Sequence, residues 1–155
     1  MNQGSEVNDI AGGPSVKLAV IAAVVALIGL ADSVYLTVHH FTAAPVPCSL
    51  IAGCETVLTS PYAEIAGVPL AAFGAAAYFA AFSLAVLAAY GNRFAWLLFG
   101  LQVAGMALFT LWLLYLQAFV LQAFCQFCLI SAATTFGLLI TFVISKFSGR
   151  RTHHI

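Results

Sequence analysis

Four long apolar runs dominate the chain, separated by short stretches where charged residues, glycines or prolines collect. The first extends from about Val16 to Phe41, the second from about Val68 to Tyr90, the third from about Phe94 to Gln122 and the fourth from about Phe124 to Phe147. Each is long enough to supply the roughly 20 mostly apolar residues that a helix needs to cross a hydrocarbon core. The runs are rich in Ala and Leu and lack period-two alternation, which predicts helices rather than strands. Gly91-Asn92-Arg93 predicts a tight turn between the second and third runs. The third and fourth are almost continuous in hydropathy. A break is placed near Leu121-Gln122 because a single helix of about fifty residues would outreach any bilayer.

This pattern predicts an all-α integral membrane protein, a four-helix bundle in one domain over residues 16–147. Residues 42–67 form an extramembrane loop, and 1–15 and 148–155 are expected to be flexible tails. Composition agrees: 63% hydrophobic residues, 6% charged residues and a mean hydropathy of +1.07 leave too little polar surface for a soluble domain. The start of the chain lacks the basic segment and cleavage site of a removed signal peptide, so the first run is expected to stay as an anchor. No internal repeat, Gly-rich phosphate loop or basic nucleic-acid patch is present, and a net charge of zero adds nothing further.

Charge placement orients the bundle. With four spans, both termini share a side with the turn between spans two and three, and all five basic residues (Lys17, Arg93, Lys146, Arg150, Arg151) fall there. The opposite side carries Glu55 and Glu64 and no Lys or Arg. The positive-inside bias then puts both termini in the cytoplasm, as a multi-pass protein of the inner cell membrane. Three or five spans would scatter the basic residues over both faces.

That orientation gives the cysteines a meaning. Cys48 and Cys54 lie in the outward loop, and Cys125 and Cys128 form a C-x-x-C at the outward end of the fourth run. All four face the side where disulfides persist. A thiol at a helix start faces the positive end of the dipole, which favours thiolate, the species that attacks disulfides. Structural stapling is the blander reading of any one membrane cysteine.

The segment Cys48-Ser49-Leu50-Ile51-Ala52-Gly53-Cys54-Glu55-Thr56-Val57, followed by Ser60, Gly67-Val68-Pro69, Gly74 and Cys125-Gln126-Phe127-Cys128, resembles the vitamin K epoxide reductase family. Asp32-Ser33-Val34-Tyr35-Leu36 resembles its bacterial members, and the similarity runs from about Leu18 to Val143. The resemblance implies four helices around a quinone pocket, covered by a loop with a short amphipathic helix, here roughly Glu55 to Ser60. It also implies that Cys125 and Cys128 are the active-site pair, with Cys128 nearest the quinone and able to form a transient adduct or charge-transfer complex with it. Cys54 would accept electrons from a periplasmic thioredoxin-like, DsbA-like partner and Cys48 would pass them to Cys125. Ser60 matches a serine lining the reaction site. The animal enzymes place an Asn and a Tyr against the vitamin K head group; the corresponding cofactor-site positions here are Leu70 and Ala132. Ubiquinone or menaquinone is therefore the expected acceptor, ahead of vitamin K epoxide. With only Ser148 to Ile155 left after the fourth run, the thioredoxin-like partner is expected to be a separate protein. A bundle of this kind is able to act as a monomer.

The chemistry explains two pairs. A quinone needs a site within the bilayer and a protein donor is aqueous and bulky, so a loop pair relays electrons between them by successive exchanges. Pro45 and Pro47 are expected to stiffen the approach to Cys48, and Gly53 to relax the backbone beside Cys54. Among other polar residues, His39 and His40 suit either an interfacial role or a metal site with the loop cysteines, although adjacent histidines diverge on a helix. His153 and His154 belong to the expected tail. Asp32 is either an intramembrane group in quinone protonation or an interfacial one. Gln117 and Gln122 either line the pocket or join helices. Phe109, Trp112, Tyr115 and Phe119 make one helical stripe, read as bundle packing rather than a quinone box. Two rival readings remain: a membrane metal-binding or transport protein with soft thiolate ligands, and an assembly factor whose cysteines only staple the loop.

Overall fold

A computed structural model describes residues 14–151. Of the tails expected over 1–15 and 148–155, residues 1–13 and 152–155, with His153 and His154, lie outside the described residues, and the last helix continues through residues 148–151. Four helices are long and apolar enough to cross a membrane. Helix α1 spans Val16–Thr42, and Ser15, expected in the tail, caps it by accepting from the Leu18 amide at 3.4 Å. A one-turn helix α2, Cys54–Leu58, lies in the loop, slightly earlier and shorter than the expected Glu55 to Ser60. Strands β1 (Glu64–Ile65) and β2 (Val68–Pro69) follow, then α3 (Leu70–Ala89), α4 (Arg93–Tyr115), a π-helical segment Leu116–Val120 and α5 (Gln126–Arg151).

The two small strands are an addition to the all-helical expectation. They pair antiparallel as a hairpin whose turn residues, Ala66 and Gly67, both have positive φ, 53° and 81°. That is the combination a two-residue hairpin of the I′ kind demands. Asn92 caps α4 by accepting from the Ala95 amide at 3.0 Å, so the tight turn read from Gly91-Asn92-Arg93 is also a helix start. The break between the third and fourth apolar runs is real. Its pivot is Gln122, at φ 49°.

Small residues bring the helices together. Ala19, Ala22 and Ala26 on α1 and Ala81, Ala85 and Ala88 on α3 are buried in one core with Tyr78, Trp96, Phe99, Val103 and Leu138. Between apolar helices in lipid, association rests on close packing, which short side chains permit. Gly29 leaves room for the Tyr78 ring, and Gly100 for Phe142. Large apolar residues such as Val20, Ile21, Val24, Leu27 and Ile28 point outward. This inversion of the soluble pattern accounts for a chain so hydrophobic: the residues that would fill a soluble core here meet lipid.

The ends of the bundle differ. At the end bearing Arg93 and Lys146, Trp96 stacks on Phe99 with ring centroids 4.7 Å apart and donates Nε1–H to Ser145 Oγ at 2.9 Å. Phe142 closes that cluster. At the other end the helices splay under the loop.

Candidate functional site

The splayed end holds a cavity of about 990 Å³. Its walls come from the ends of α1, α3 and α4, the first turns of α5 and the loop from Ala43 to Ile65. Most of its lining is apolar: Leu36, Leu58, Leu70, Phe73, Met106, Leu113 and Ala132 among others. Ser60, Leu70, Ala132 and Cys128, four residues singled out in the sequence, therefore share one chamber. Leu70 and Ala132 present no hydrogen-bonding side chain to it. Ser60 spends its hydroxyl on the Val57 carbonyl, 2.7 Å away, which closes the loop helix α2 rather than reaching inward.

The four cysteines gather at the top of this chamber. Cys48 and Cys54 are bridged, with Cα atoms 6.2 Å apart, and Cys125 and Cys128 are free thiols. Cys54, Val57 and Cys125 form one buried cluster, with Cys48, Leu121, Phe127 and Cys128 packed around it. Cys54 is 1% exposed and Cys125 0%, whereas Cys48 is only half-buried. Gly53 makes this approach possible. A Cβ there would meet the Phe124 carbonyl oxygen at 2.5 Å and its nitrogen at 2.8 Å, so any larger residue would lift the loop off the strand of chain leading to Cys125. The Leu50 amide donates to Gln126 Oε1 at 3.0 Å, a second tie between the loop and the start of α5.

Cys125 sits just before α5, not on it. Its carbonyl accepts the first intrahelical bond from Leu129 at 3.0 Å, which makes it the capping position. A hydrogen bond from the Cys128 thiol, aided by the free amides of Cys128 and Phe127, lowers the Cys125 thiol from 9.0 to about 7. Burial and the nearby Asp32 carboxyl oppose that shift and lose. The helix-start argument made from the sequence thus holds in a sharper form: the thiolate is favoured at the residue whose sulfur the first turn surrounds.

What aims Cys125 was not legible in the sequence. The Gln117 side chain, buried within the π-helical segment, accepts from the Cys125 amide at 3.1 Å through Oε1, and its carbonyl accepts from the Ala123 amide at 3.1 Å. The wider π-helical turn is a common device for turning one side chain toward a site. The nearest sequence signal was a glutamine in an apolar run, read there as pocket lining or helix joining; it does both, since it also faces the cavity. Gln122, the other candidate, provides the bend and is absent from the lining.

Other expectations need correction. The stripe Phe109, Trp112, Tyr115 and Phe119 does not pack the bundle: Trp112, Tyr115 and Phe119 face outward, Trp112 paired with Phe109 and Tyr115 with Phe119, and Phe109 alone of the four reaches the cavity. His40 pairs with Glu64 at 3.1 Å and His39 Nδ1–H donates to the Ala44 carbonyl at 3.4 Å, so both histidines tie α1 to the loop. Among the described residues no three His, Cys, Asp or Glu side chains converge as metal ligands, and two of the four thiols are already spent in a disulfide. Tyr78, unremarked in the sequence, closes the chamber floor through hydrogen bonds to Ser131, Thr134 and Thr135 at 2.7–3.0 Å.

Compared with known protein families, the chain matches the family model described as Vitamin K epoxide reductase family over residues 20–143. That stretch includes all four cysteines, the loop and most of each membrane helix.

Proposed function

The chain belongs to the vitamin K epoxide reductase family of membrane oxidoreductases, and from that premise we propose that it is a thiol oxidase passing electrons from an extracytoplasmic thioredoxin-like protein to a quinone. The observation that carries this reading is the stacking of two dithiol pairs, one oxidised and one reduced, above an apolar chamber of quinone size. Cys128 lines that chamber and Cys125 does not, which supports a reading with Cys128 toward the quinone and Cys125 toward the loop. The charge placement supports a cysteine-bearing end outside the cytoplasm, with both termini inside. Ubiquinone or menaquinone suits a lining in which Leu70 and Ala132 offer a head group no hydrogen bond, and the same lining disfavours vitamin K epoxide.

The relay runs by exchange. A donor thiolate attacks the Cys48–Cys54 disulfide, the freed loop thiolate attacks the Cys125–Cys128 disulfide formed by the previous turnover, and the pair so reduced delivers two electrons to the quinone. Resemblance assigned the donor to Cys54 and the handover to Cys48. Burial supports the reverse order, because a bulky donor needs an accessible sulfur and Cys54 is enclosed beside Cys125 while Cys48 is not. The Cys125 thiolate, favoured at neutral pH, then closes the disulfide with Cys128 as electrons leave.

The test is quinone reduction by purified protein driven by a reduced thioredoxin-like donor. Wild type turns over, and Cys128→Ser does not with any donor. Cys48→Ser fails with the protein donor yet turns over with a small dithiol. A donor lacking its resolving cysteine attacks the intact Cys48–Cys54 disulfide and is trapped as a mixed disulfide on Cys48, Cys54 leaving as thiolate. Absence of turnover with every common quinone would defeat the reading. Trapping of that donor on Cys54 instead would restore the opposite relay order.

A further inference from the structure

Among the described residues, one buried side-chain oxygen has no hydrogen-bond partner, and its residue lines the chamber. Asp32, late in α1, lines the cavity with Cys128, and its Oδ2 is buried without any hydrogen bond. An unmet buried oxygen is costly, more so if charged, so an unpartnered carboxyl on a membrane helix signals a task. The ionisable side chains facing the chamber with it are His39 and His40 from its own helix, Glu55, Tyr62 and Glu64 from the loop, Tyr78 from α3 and Cys128 from α5. Among the described residues no Lys or Arg lines the chamber: Lys17, Arg93 and Lys146 belong to the opposite end. His40 is occupied by Glu64, and the Tyr78 hydroxyl is occupied by Ser131, Thr134 and Thr135. Among the ionisable groups lining the chamber, Asp32 alone holds a buried side-chain oxygen or nitrogen that no described residue meets, and Cys128 lines the same chamber.

We propose that Asp32 is a catalytic residue, the proton donor to the quinone oxygen that lies next to Cys128. The inference rests on the quinone reading above and adds the missing proton. Quinone reduction takes two electrons and two protons. With Cys125 as thiolate, the reduced pair holds two electrons to give but only one proton, on Cys128. The step balances when Asp32 supplies the other: Cys125 thiolate, Cys128 thiol, the Asp32 carboxylic acid and quinone become the Cys125–Cys128 disulfide, the Asp32 carboxylate and hydroquinone. The sulfur–sulfur bond forms, the Cys128 S–H and Asp32 O–H bonds break, and water at the loop mouth returns a proton to Asp32. Without such a donor, a proton would have to cross an apolar chamber unaided.

The test uses the full chain in lipid nanodiscs with a short-tailed ubiquinone analogue and dithiothreitol as donor. Asp32→Asn is expected to slow quinone reduction about a hundredfold or more, the usual weight of a positioned acid, and Asp32→Glu to recover a substantial part. Exchange between the thioredoxin-like donor and the loop, read by gel-shift alkylation, stays at the wild-type rate in both. Infrared difference spectra of the wild type supply a readout independent of turnover: a protonated carboxyl band, absent in Asp32→Asn, shifts when the analogue binds. Turnover of Asp32→Asn within about threefold of wild type would overturn the proposal, since general acid catalysis is worth far more, and so would a carboxyl band indifferent to the analogue. If the wild type itself reduces no quinone, the functional reading falls; the infrared shift then still decides whether Asp32 meets a quinone, and stands in also if Asp32→Asn fails to fold.

Discussion

The two ends of the bundle are made from the same few residue types and behave as opposites. At the end bearing Arg93 and Lys146, Trp96, Phe99 and Phe142 interlock and the helices are joined by a three-residue turn. At the other end the α4 helix widens into a π-turn, Gln122 takes up a left-handed backbone, and an apolar chamber opens beneath a loop closed on itself by a disulfide and tied to α5 by the Leu50–Gln126 hydrogen bond. Close packing at one end supplies the rigidity that lets the other stay open. On the reading proposed above, a site that admits a lipid-soluble substrate sideways and a protein from above cannot be packed shut.

This contrast breaks first at Cys128. Replacement by Ser should remove essentially all quinone reduction while leaving the thermal transition of the purified protein within a degree or two of wild type, because the site is not where the bundle is held. The mirror experiment is Phe99→Ala, which empties the packed end. It should destabilise by about 3–5 kcal/mol, seen as a lower midpoint of unfolding in mild detergent, with turnover per folded molecule nearly unchanged. Gly53→Ala tests the seat of the loop. Its Cβ would collide with the Phe124 backbone, and a displacement of about an ångström costs on the order of a hundredfold in transfer between oriented groups. The loss should appear with a protein donor and vanish with dithiothreitol, which reaches Cys125 without the loop. The smallest effect is in pH. With the Cys125 thiol near 7, its alkylation rate should climb about tenfold per pH unit below 7 and level off above it, as the thiolate becomes the dominant form. A profile still climbing above pH 8.5 would show the thiol is not lowered.

Much of the molecule was readable before folding. The four spans follow from hydropathy because lipid offers no other stable backbone, and the four cysteines declared themselves by spacing, side and order. The break at Leu121-Gln122, placed only on the length a bilayer permits, coincides with the left-handed Gln122. What failed to show in the sequence was mostly a matter of direction. An aromatic stripe at helical spacing marks a face but not whether that face turns inward, and here three of its four rings turn out. Gln117 looked like any polar residue in an apolar run until the π-turn aimed it at the Cys125 amide. The relay order proposed above, opposite to the one the resemblance implies, rests on burial, which spacing along the chain does not carry.

By itself, then, the sequence determined a membrane-spanning redox bundle with two cysteine pairs on one side, because hydropathy, charge bias and thiol spacing act along the chain and need no fold to be expressed. Only the tertiary structure decided which sulfur is enclosed, which thiol lies against the first turn of a helix, and which carboxyl faces the chamber unpartnered. Those properties are distances between residues as far apart as Asp32 and Cys128. Burial, hydrogen bonding and shifted acidity arise only when folding brings such residues together.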